Sequence, residues 1–181
     1  MTISKANPMM LLRNIFLQMI PLMILMNPFG AFAQEGAGSP DDLGELFLRS
    51  VAERKFRILM PVLPGVEQWK KLSPDQTKGL SDQEIGDEIR HGNIPALESA
   101  YHHIIHAATR GGFQVKEISF NDVVVQRYSD SKNIPVGLEV LFFYDHYHDK
   151  FHLTAVELDG RWYLLGIREP DVAFSQVRKI E

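Results

Sequence analysis

Asp159-Gly160 stands between two alternating apolar runs, 151–158 and 161–168. That dipeptide accepts the positive φ angles a two-residue hairpin turn requires, so the runs are predicted to pair as antiparallel strands. A third run, 136–147, is predicted to join them through a two-residue turn at Asp149-Lys150. A fourth, 113–128, is rich in β-branched residues, with Asn121-Asp122 at a bulge or bend. Such a meander needs a second layer to bury its apolar face, and the first half of the chain supplies one.

Leu43, Leu46, Phe47 and Val51 recur at helical spacing behind Asp41 and Asp42, either of which can cap a helix reaching about Lys55. Ser81 and Glu84 have capping-box spacing, which predicts a helix over 82–90. Gly92-Asn93 separates it from a helix over 94–109, ended by Gly111-Gly112. Ile94, Leu97, Tyr101, Ile104, Ile105 and Ala108 share the buried face of that second helix. Helices first and a meander after predict an α+β fold, with N-terminal helices packed on a curved antiparallel sheet. The predicted pairing sets Tyr147 opposite His152 and Asp145 opposite Thr154. Both sheet faces are then largely apolar, so the second one lines a cavity, meets a partner or lies under the early helices.

The first 33 residues have a different character. Lys5 and Arg13 precede an apolar stretch at 15–26, and Ala31-Phe32-Ala33 follows as a small-x-small site. A dozen apolar residues match a signal-peptide core and fall short of ~30 Å of hydrocarbon, so 1–33 is read as a cleaved leader. Residues 34–40 are a Gly/Ser/Pro-rich flexible lead-in, 41–170 the domain, and 171–181 a tail. The net charge is −4 and the leader takes two basic groups with it, so clustered cations for nucleic acid are lacking. The chain has no cysteine, which removes disulfides, thiol chemistry and a lipid anchor at the cleavage site. The expected location is the periplasm or beyond, with no membrane span after cleavage.

The stretch 151–167, FHLTAVELDGRWYLLGI, resembles the closing hairpin of the nuclear-transport-factor-like, ketosteroid-isomerase-like cone-fold superfamily. Val51 to Phe56 (VAERKF) is similar to a helix joint in small exported bacterial members. The resemblance spans most of 41–168 and implies a cone-shaped α+β barrel with a pocket. It implies no particular reaction, because members range from isomerases to binding modules. The helical insertion at roughly 66–92 departs from the simplest form of the fold.

Seven histidines are the conspicuous chemical feature. His102 and His106 are four apart on a helix, a spacing able to hold zinc, but they lie off the apolar arc and read as solvated. In the run Asp145-His-Tyr-His-Asp149, the sharper idea is Asp145 orienting His152 as an acid–base pair at a pocket rim. Asp145 and His152 are the catalytic candidates; Tyr101, Tyr144, His146 and Tyr147 are the ligand-binding ones. No metal site and no cofactor is assigned. The reading is an exported non-catalytic domain that binds a small hydrophobic molecule or an envelope protein, as a monomer or homodimer. A small-molecule isomerase or lyase built on Asp145 with nearby His or Tyr is one alternative, and a cell-envelope interaction module the other.

Overall fold

The computed structural model describes residues 35–127 and 133–168; the predicted leader and tail and Tyr128 lie outside them. Helix α1 spans Pro40–Glu53, α2 Val66–Leu72, α3 Pro74–Thr77, α4 Asp82–Glu88 and α5 Ile94–Arg110. Strands β1 Ser119–Gln126, β2 Val136–Tyr144, β3 Tyr147–Leu158 and β4 Arg161–Ile167 form one antiparallel sheet in the order β1-β2-β3-β4. The protein is thus α+β, as the element order predicts. Among the described residues the sheet stays open and does not close into a barrel. No described helix is long and apolar enough to cross a membrane.

Local chemistry explains the helix boundaries. Ser39, not Asp41 or Asp42, caps α1: its hydroxyl accepts the Asp42 N–H at 3.0 Å, and Pro40 fills the first turn. The helix ends at Arg54, whose φ of 54° puts it in the left-handed region. Ser81 and Glu84 form the predicted capping box, with bonds of 2.7 and 3.3 Å. Gly92-Asn93 does not break the chain into two helices. Instead Ile89–Asn93 forms a π-turn joining α4 to α5, with the Ile94 N–H bonded to the Ile89 carbonyl. Pro95 is the physical reason. It has no N–H to give and would clash one turn back, so the wider turn upstream absorbs it.

The lead-in, predicted to be flexible, is pinned over its described part. Ala37 exchanges two backbone hydrogen bonds with Trp162, at 2.8 and 2.9 Å, and the Gly36 N–H bonds to the Pro61 carbonyl at 3.2 Å. It clasps the outer edge of β4, a row of backbone groups that would otherwise stand unpaired.

The Asp159-Gly160 turn is as predicted, both residues at positive φ. The other hairpin is not. Its turn is Asp145-His146, with Tyr144 opposite Tyr147 and Phe143 opposite His148. Asp145 takes φ 55°, an angle Asp tolerates better than most residues. The reason for the shift is aromatic packing. In the observed register Phe151 lies opposite Val140 and stacks on Phe142, ring centroids 4.6 Å apart, while Phe47 of α1 meets its edge at 5.4 Å. A turn at 149–150 would strand Phe151 beside the loop. Two bulges complete the sheet, one in β1 at the predicted Asn121 and one in β4 at Leu165. The second returns Ile167 to the core.

The core lies between the sheet and the helices α1 and α5. Its largest fully buried side chains include Tyr101, Phe47, Phe142 and Phe151. The opposite sheet face is covered at its β3–β4 end, where Val156, Leu158 and Tyr163 form a second buried cluster with Leu72 of α2. The Gln68 amide donates to the Tyr163 hydroxyl at 3.3 Å, and Lys71 pairs with Asp159.

Candidate functional site

The shifted turn separates the predicted acid–base pair. Asp145 sits exposed at the hairpin tip, its carboxylate 3.6 Å from the His146 ring. His152 lies in mid-strand on the outer sheet face, opposite Glu139 and not beside Asp145. Its Nδ1 is 3.7 Å from Glu139 Oε1. The same oxygen accepts from Lys150 Nζ and from Gln126 Nε2, each at 2.7 Å. The Lys150 bond holds the Glu139 carboxyl below its ordinary value. It is therefore a fixed carboxylate, the reverse of the raised pKa a proton-shuttling acid needs.

Of the ligand-binding candidates, Tyr101 stands apart from the three at the β2–β3 hairpin, where Tyr144 lies opposite Tyr147. Tyr101 is fully buried and its hydroxyl donates to the Ser50 carbonyl at 2.5 Å. Burial pushes that phenol up to about 12, so it stays neutral. Tyr144 lies on the core side at the other end of the sheet, its ring 4.8 Å from Phe113 and its hydroxyl accepting the Gln114 N–H at 3.2 Å. His146 belongs to the turn, and Tyr147 follows it as the first residue of β3. His102 is exposed on α5, 3.8 Å from Glu98. His148 lies against Phe143, rings 4.3 Å apart. Among the described residues no three His, Asp or Glu side chains are grouped as a metal ion needs.

Among the described residues, open space lies in a trough along the flank of α1. One hollow of ≈ 480 Å³ is bounded by Asp42, Glu45, Arg49 and Ala52 on the helix and by Ile118 and Phe120 at the start of β1. A second, of ≈ 380 Å³, continues past Ala52 to Arg54, Val115 and Lys116. Charges of both signs line it: Asp42, Glu45 and Arg49 along the first hollow, and Glu53, Arg54 and Lys116 along the second. None of these residues is read from the sequence as a binding residue; Asp42 is named there only as a helix-cap candidate. The only signal was a row at 42, 45, 49 and 52 beside the apolar stripe, with small Ala52 in it. No family model matches the chain, and neither a curated protein nor a solved structure matches it.

The Glu139 network makes a pH prediction. Glu139 has a folded pKa below its unfolded value, so its contribution to stability is present above the unfolded value and is lost as pH falls through the folded one. Wild-type stability is expected to fall more steeply than that of Glu139→Gln between about pH 5 and pH 3. Urea titrations at a series of pH values check this; parallel slopes would show that the network carries no linkage.

Proposed function

We propose that this chain is a non-catalytic recognition domain, and that its trough along α1 takes an extended segment of a partner polypeptide. The observation that carries the reading is where the free volume lies. The space between sheet and helices, where an isomerase would hold its substrate, is filled by Phe47, Phe142 and Phe151. The hollows face outward beside β1, an outer strand of the sheet with β2 as its neighbour. An extended segment can add its backbone to such an edge and drop alternate side chains into the trough. Leu46, Ile118 and Phe120 offer it apolar surface. The exported setting of this recognition rests on residues 1–33 alone.

Selection of a displayed random peptide library on the full chain tests the reading. Enriched peptides are expected to alternate apolar and polar residues and to lose binding to Ala52→Arg, which fills the trough where the two hollows meet. Leu80→Glu, at an exposed site in the helical insertion, is expected to leave binding unchanged. No enrichment, or enrichment indifferent to Ala52→Arg, would remove the trough as the binding site.

A further inference from the structure

We propose that a narrow cleft beside Trp69 is a binding site for one neutral hydroxyl-type oxygen: a water molecule, or the alcohol group of a small apolar compound. Among the buried side-chain nitrogens and oxygens of the described residues, the Trp69 indole nitrogen is the one without a hydrogen-bond partner. A buried N–H left unsatisfied costs on the order of 1–3 kcal/mol, so it marks a place where a partner belongs. The indole lines a cleft between α2, the π-turn and β4, whose walls include Leu63, Ile89, Ile94, Leu97 and Leu164. The free space is ≈ 10 Å³, about what a single water requires.

Chemistry narrows the occupant. An indole N–H only donates, so it needs an acceptor. The other polar side chain on the cleft is Asn93, whose amide both donates and accepts. An oxygen that also carries a hydrogen satisfies both. No charged side chain lines the cleft, so an ion would lose its hydration without compensation. The π-turn gains a purpose here. Asn93 is its last residue and lines the same cleft as Trp69. One bound oxygen would thereby tie α2 to the α4–α5 junction. This site is independent of the trough.

Proton NMR of the full chain, with ¹⁵N-labelled indole groups, tests the site. The chain has two tryptophans, and the Trp69 signal is the one missing from Trp69→Phe or the one remaining in Trp162→Phe. The expected result is a cross-peak between the Trp69 indole proton and a long-lived water. Asn93→Ala is expected to erase that cross-peak and to speed exchange of the proton about tenfold, by loss of the bridging partner. Titration with 1-butanol separates the two sources. A saturable shift with loss of the water cross-peak assigns the site to alcohols as well, whereas an unchanged spectrum assigns it to water alone. A signal with neither a water cross-peak nor a response to butanol would overturn the proposal. So would a cross-peak that Asn93→Ala leaves intact.

Discussion

Phe151→Ala is expected to cost about 3–5 kcal/mol, the range for removing a fully buried aromatic ring from a core that cannot collapse onto the gap. Phe151 is 1% exposed and sits on β3, an inner strand with a neighbour on each side. Its ring is held on one side by Phe142, stacked at an interplanar angle of 23°, and on another by the edge of Phe47. The three rings come from two adjacent strands and the helix above them. Truncation therefore loosens both layers at once, and neither can move in without breaking the ladder or lifting α1. Denaturant unfolding followed by circular dichroism measures the loss. A cost under about 1 kcal/mol would mean that the layers do not close around this ring.

Gly44→Ala is the second large effect, and its sign is the informative part. In an exposed helix interior this change stabilises by about 1 kcal/mol. At position 44 an added Cβ would lie 2.5 Å from Val123 Cγ2, 3.1 Å from the Phe120 ring and 3.4 Å from Val140 Cγ1. Valine is stiff at χ1 and cannot swing aside freely. Relief requires α1 to rise off the sheet, and overpacking of this kind costs about 1–3 kcal/mol. The balance is a net loss, with the helix-propensity gain submerged. Val123→Ala removes the obstructing methyl groups, so the double variant is expected to lose less than the sum of the two single losses. Simple additivity, or a stabilised Gly44→Ala, would show that helix and strand do not touch there.

These effects also show how far the amino-acid order could be read. The α+β order, the Asp159-Gly160 turn, the Ser81–Glu84 box and the Asn121 bulge follow from local chemistry. The buried face of α5 likewise follows from helical spacing. The second hairpin was misplaced because Asp145-His146 and Asp149-Lys150 are locally equivalent turn sequences. Only the fit of Phe151 against Phe142 and Phe47 decides between them, and that fit is tertiary. The displacement shifts the β2–β3 register by an even number of residues, so β2 and β3 turn the same residues to the core, whereas the Leu165 bulge brings Ile167 to it. Every β2–β3 pair changed, however, and with it the partner of His152, now Glu139. The trough was illegible for a related reason: its walls, near residues 45 and 118, meet only when α1 is laid across β1. Trp69 and Asn93, far apart in the chain, likewise line one cleft only in the folded structure.

The clasp formed by Ala37 has a consequence for processing. A protease that cut before Gly36 would leave the clasp in place. One that cut after Ser39 would remove both the Ala37 backbone bonds and the serine that starts α1. The trimmed product would carry a bared strand able to recruit the same strand of another molecule. Trimming on one side of Ala37 or the other would thus decide between a chain that stays dispersed and one prone to self-association.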